Sequence, residues 1–178
     1  MTAATPTITG TARVGSTLTA HPGTWGPAPV TVAYQWSAAG TPISGATHPT
    51  YVPQAAQRGA TLTVTVKGTK TGYAPASRSS TPTPKVATGV LTTATPKISG
   101  TAKVGSTLKA SPGTWGPAGV SLKYQWYAGS AAIKGQTGKS LKLTTTLVGK
   151  RIKVKVTGSK AGYATASRSS AATAPVRR

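Results

Sequence analysis

Four groups of residues in this 178-residue chain carry functional chemistry worth weighing. His21 and His48 are imidazoles able to ligate a metal or move a proton. Ser77-Arg78-Ser79-Ser80, which recurs as Ser167-Arg168-Ser169-Ser170, supplies hydroxyls beside a cation. Trp25 and Trp115 each sit in a Pro-Gly-Thr-Trp-Gly-Pro frame, where each either offers an aromatic platform for stacking on sugar rings or bases or folds over the end of its domain as a loop anchor, the reading preferred here. Lys123, Lys142, Arg151, Lys153 and Lys155 form a candidate polyanion-binding set.

The first two groups lack the partners their chemistry requires. The chain contains no aspartate and no glutamate. There is therefore no carboxylate general base, no acid to orient a histidine, and no hard oxygen cage for calcium or magnesium. Cysteine is absent too, which removes thiolate zinc sites and disulfides. The histidines occur only in the first of two repeats, where Ser111 and Gly138 replace them in the second. They read as exposed loop residues, and the serine runs as polar edge-strand segments. No catalytic residue, metal site or cofactor is expected, and the chain is read as non-enzymatic.

Composition points instead to polyanions. Lysine and arginine number 21, for a formal charge of +21 and a pI near 11.3. Such a field favours nucleic acid, anionic polymers or anionic surfaces, and opposes self-association at low salt, so a monomer is expected. Only the two histidines ordinarily titrate between acidic and neutral pH, so acid tolerance is expected as well. The cations are unevenly divided. Six lie up to Lys85, and fifteen follow from Lys97 onward.

The elements that position them are repeated. Ala4-Thr5-Pro6, Trp25, Tyr34-Gln35-Trp36 and Gly72-Tyr73 return 90 positions later, without a gap. About half the aligned positions are identical. Expected domains are residues 1–84 and 94–178, with a linker at 85–93. The Thr81-Pro82-Thr83-Pro84 run before the linker is stiff, and Gly89 permits a bend. Thr61 to Val66 alternates polar with apolar, and Arg151 to Val156 alternates cationic with apolar. Period two marks strands, with Lys153 and Lys155 on the solvent face. Val32, Tyr34 and Trp36 share a face, as do Leu122, Tyr124 and Trp126. Frequent glycine and proline turns between short strands predict an antiparallel sandwich.

Pro6-x-Ile8-x-Gly10-x-Ala12-x-Val14-Gly15-Ser16-x-Leu18, Pro22-Gly23-Thr24-Trp25, Tyr34-Gln35-Trp36, Ile43-x-Gly45 and Gly72-Tyr73-Ala74, with their second copies, resemble the immunoglobulin-like repeats of secreted actinobacterial proteins. The resemblance implies an all-β chain of two tandem immunoglobulin-like antiparallel β-sandwich domains. It makes Trp36 and Trp126 the core tryptophans, and sets Val64 and Val154 where many such domains carry a disulfide cysteine. It also implies a secreted or cell-surface location as part of a larger exported protein, although no signal peptide and no membrane span is read in this chain. Such repeats usually carry acids where this chain has Ala38-Ala39-Gly40, Gln57, Ala128-Gly129-Ser130 and Leu147. Losing them is expected to loosen those corners.

Two functions follow as expectations. One is a spacer or attachment module of the cell envelope that binds anionic wall polymers through its lysine-rich second repeat. The other is an engineered, supercharged, acid-free scaffold for solubility, acid tolerance, or nucleic-acid or cell-surface binding.

Overall fold

The computed structural model describes residues 1–178, which divide into two compact units, Met1–Gly89 and Val90–Arg178. Every regular element longer than three residues is a β-strand. The expected linker, 85–93, is shared between the units. Val86 is buried in the first and donates its N–H to Ala60 O, and Ala87 N–H donates to Ala12 O. Leu91 is buried in the second, where Thr92 exchanges backbone bonds with Gly116.

In the first unit, β1 (Thr2–Ala3) pairs with β4 (Trp25–Gly26). One sheet has β2 (Thr7–Thr9), β3 (Leu18–His21) and β7 (Thr50–Tyr51) in the order β2-β3-β7. The other has β5 (Thr31–Ala38), β6 (Thr41–Pro42), β8 (Leu62–Lys70) and β9 (Tyr73–Ser79) in the order β6-β5-β8-β9. The chain leaves the four-stranded sheet after β6, adds β7 to the facing sheet, and returns as β8 beside β5. All pairings between these strands are antiparallel. Each unit is an immunoglobulin-like β-sandwich.

The second unit repeats the plan. Its sheets are β10 (Lys97–Ser99), β11 (Thr107–Ser111) and β14 (Ser140–Lys142), and β13 (Ala131–Ala132), β12 (Ser121–Ala128), β15 (Ile152–Ser159) and β16 (Ala166–Ser169). Leu108 and Leu141 from the first sheet and Trp126, Ile152, Val154 and Val156 from the second form one buried cluster. Burying these side chains is the main stabilising term for a module with neither disulfides nor acidic side chains.

Alternation in sequence becomes alternation in burial. Ile152, Val154 and Val156 are fully buried while Lys153 and Lys155 are exposed. Trp36 and Trp126 have no exposed surface, and their Nε1 atoms donate to His48 O and Gly138 O, both at 2.9 Å. The indole N–H is therefore satisfied inside the core. Val64 and Val154 stand directly across from these tryptophans, fully buried.

Two of the acid-free corners have a substitute for the missing acid. Gln57 supplies a neutral acceptor, its Oε1 taking the Gln54 N–H at 2.9 Å. At the matching position Leu147 is buried and closes the corner by packing. The two-residue hairpin loops differ as well. Ala39 (φ 45°) and Gly40 (φ 82°) both lie in the left-handed region, whereas in the second unit Gly129 (φ 64°) alone does so. The first loop therefore asks an alanine to adopt a conformation that asparagine or glycine adopts more readily.

Candidate functional site

The register places four of the five candidate cations on one surface. On the outer side of the β13-β12-β15-β16 sheet, Tyr127 faces Lys153, Gln125 faces Lys155, and Lys123 faces Thr157. Lys155 and Thr157 continue opposite Ser169 and Ser167 of β16. Arg151 precedes β15, and its carbonyl accepts the Gly129 N–H at 2.8 Å, which extends the pairing. Arg151, Lys153, Lys155 and Lys123 are all exposed. Serine, threonine and glutamine fill most of the remaining surface, with Tyr127 its half-buried aromatic.

Lys142 does not join them. It lies in β14 opposite Thr107, on the outer side of the other sheet, with Lys109 and Lys97. Sequence alternation shows that Lys142 faces outward, but which sheet its strand enters depends on a pairing made across 35 residues.

The same surface of the first unit is nearly neutral. The positions of Lys123, Arg151, Lys153 and Lys155 are held there by Ala33, Thr61, Thr63 and Thr65. Lys67, opposite Ala33, is the cation on that surface. One scaffold thus presents two electrostatically different faces.

Both tryptophans fold over the end of their unit, and Trp25 is the more covered of the two. Trp25 is 8% exposed, and its Nε1 donates to Pro22 O at 2.9 Å. Trp115 is half-buried and makes the same bond to Pro112 O at 3.0 Å. Each ring lies over a glycine of the neighbouring strand, Gly68 or Gly158, where a Cβ would approach ring carbons to 2.5–2.6 Å. The glycine admits the ring and the ring seals the end of the sandwich, so Trp25 presents no open aromatic face.

The other candidates have structural employment. Ser80 and Ser170 are buried, and their Oγ atoms accept the N–H groups of Val64 and Val154 at 3.1 Å. Thr83 and Thr173 do the same for Leu62 and Ile152 at 3.0 and 3.1 Å. His21 is exposed and its Nε2 lies 2.9 Å from Thr9 Oγ1, while His48 lies exposed in a loop. No group of three or more potential metal-ligating side chains assembles.

Several cations bond to main-chain carbonyls, a use that composition alone does not reveal. Lys70 Nζ donates to Ala28 O and Pro29 O at 3.2 Å, and Lys160 Nζ to Ala118 O at 2.8 Å. Arg151 Nη1 reaches Thr173 O at 3.2 Å, which steadies the residue at the start of the cationic surface. Lys103, Arg177 and Arg178 also line a groove of about 400 Å³, where Lys103 and Arg177 form a parallel bridge.

Burial raises the hydroxyl pKa of Tyr51 and of Tyr124. Tyr51 stacks on Trp36 with ring centroids 5.7 Å apart. Neither tyrosine lies on the cationic surface.

No protein-family model and no curated protein matches the chain. Among solved structures, it is similar to the three N-terminal domains of the bacteriophage RB49 highly immunogenic outer capsid protein (Hoc). Identity is 22%, the TM-score is 0.42, and the match covers 93% of this chain and 57% of that one. It is also similar to the tandem Ig repeats of Dlar, at 14% identity and a TM-score of 0.30, covering 98% of this chain and 95% of that one. The chain thus spans little more than half the length of the capsid-protein structure. No helix is long and apolar enough to cross a membrane.

Proposed function

We propose that the chain is a non-enzymatic tandem immunoglobulin-like spacer and attachment module of the cell envelope, displayed outside the cell as part of an exported protein. Its second unit holds anionic wall polymers such as teichoic acids through Lys123, Arg151, Lys153 and Lys155. The observation that carries this reading is the exposure of these four cations on one sheet face whose counterpart in the first unit is almost neutral. Each phosphate engaged by a lysine or arginine releases condensed counterions, so affinity falls steeply as salt rises.

The test is co-sedimentation of the whole chain with Gram-positive cell walls, before and after their phosphate polymers are stripped, at low and physiological salt. Binding that needs the polymers, weakens with salt, and drops when the four cations are replaced by glutamine supports the reading. Equal binding to stripped walls, or by the substituted chain, removes it.

A second reading is a scaffold whose charge serves solubility. Its support is that Lys97, Lys109 and Lys142 also cover the opposite sheet, where lysines along strands block edge-to-edge association. Absence of wall binding at low salt, with the protein soluble and monomeric, favours that reading.

A further inference from the structure

The four cations form a row. Arg151, Lys153 and Lys155 follow one another at every second position along β15 and its lead-in. Lys123 continues the series one strand over, because it pairs with Thr157, the next outward position. Successive outward side chains of a strand stand about 6.8 Å apart, so Arg151, Lys153 and Lys155 advance one charge per ~6.8 Å, and Lys123, one strand over, adds a single diagonal step of about 8 Å. The cations of the opposite sheet are arranged differently. Lys142, Lys109 and Lys97 occupy three successive strands and step diagonally, with about 8 Å between charges.

Two extended residues contain six backbone bonds, and so does one repeat of a phosphodiester whose phosphates are joined through three carbons. An extended chain of single bonds advances about 1.2 Å per bond, so the two repeats are commensurate at roughly 7 Å. Polyphosphate, with two bonds per phosphate, places charges far more densely. A five-carbon spacer needs eight bonds and overshoots. The surface around the row carries hydroxyls and amides, from Gln125, Thr157, Ser167 and Ser169, with Tyr127 its single aromatic ring. That favours a polyol over bases, which are held by several stacking rings.

We infer that this row is a track for a single extended chain of three-carbon polyol phosphate, of the 1,3-glycerol-phosphate type, with one phosphate per cation over four units. The inference rests on the wall-attachment reading and adds a ligand class and a register to it.

The whole chain is titrated at low salt with 1,3-glycerol-phosphate oligomers of two to six units. Affinity should rise to four phosphates and then level off. The dependence of log K on log salt should steepen by about 0.7 per unit up to four. Oligomers with a five-carbon spacer should bind more weakly at equal phosphate number. The decisive variant is Lys153→Thr combined with Thr63→Lys, which keeps the net charge and breaks the row. It should bind the four-unit oligomer about fivefold more weakly. A second variant, Lys97→Gln with Lys142→Gln, should bind that oligomer within twofold of the unaltered chain.

Equal binding by the charge-keeping variant overturns the row while leaving electrostatic attachment standing. Equal or tighter binding of four-phosphate single-stranded oligonucleotides overturns the polyol assignment. No binding of any oligomer or wall polymer at low salt removes the row and the attachment function together.

Discussion

The ring of Trp115 lies where a side chain on Gly158 would have to be. A Cβ there would meet Cε3 and Cζ3 at 2.6 Å, and Gly68 stands in the same relation to Trp25. This contact joins the loop after β11 to β15, from positions 43 residues apart, and an indole N–H bond to Pro112 O fixes the ring. Gly158→Ala should therefore destabilise the second unit by about 1–3 kcal/mol, because the rigid ring has to shift. Urea unfolding followed by tryptophan fluorescence would show it. The two units are scored as separate transitions, since a chain of two domains need not unfold in one step.

Ala39 is the sole residue other than glycine with a left-handed backbone. Ala39→Asn should stabilise the first unit by about 0.5–1 kcal/mol, since asparagine tolerates that conformation and suits a loop of this type. The converse change, Gly129→Ala, should destabilise the second unit by a similar amount. Calorimetry on the two variants checks both signs in one experiment.

Ser170 is buried because its hydroxyl serves as an acceptor for Val154 N–H, and it also donates to Ala171 O at 2.8 Å. Ser170→Ala leaves that buried N–H without its side-chain partner and should cost about 1–3 kcal/mol. A nucleophilic role predicts lost turnover at unchanged stability. A loss of stability, measured by denaturant midpoint, is the outcome expected here.

Stability should be flat in acid and should fall in strong base. No side-chain carboxylate is present to be protonated, so circular dichroism should show no cooperative transition between pH 7 and pH 2. Tyr51 and Tyr124 act at the other end. Burial raises their pKa in the folded state, so the folded chain holds those protons more tightly than the unfolded chain. Their contribution is complete below the unfolded value near ~10 and is lost as pH rises from there through the folded values. Tyr51→Phe with Tyr124→Phe should flatten that decline.

Duplication, strand periodicity and the outward aim of the lysines on alternating strands were legible in the sequence, because they depend on neighbours two residues apart and on a repeat of constant length. Lys153 and Lys155 alternate with valines, and that local fact alone puts them on the outward face of β15. The core positions of Trp36 and Trp126 came from the family resemblance, alternation setting only the face that each shares with its neighbouring tyrosine. Which cations share a surface was a tertiary matter. Lys123 joined the row through its register with Thr157, and Lys142 was carried to the opposite sheet with β14. Trp25 lost its open face to Gly68, and Gln57 and Leu147 closed corners in the absence of acids. These outcomes turn on pairings and contacts between distant parts of the chain. Period two specifies a face for each side chain but is silent about the strand that will lie beside it.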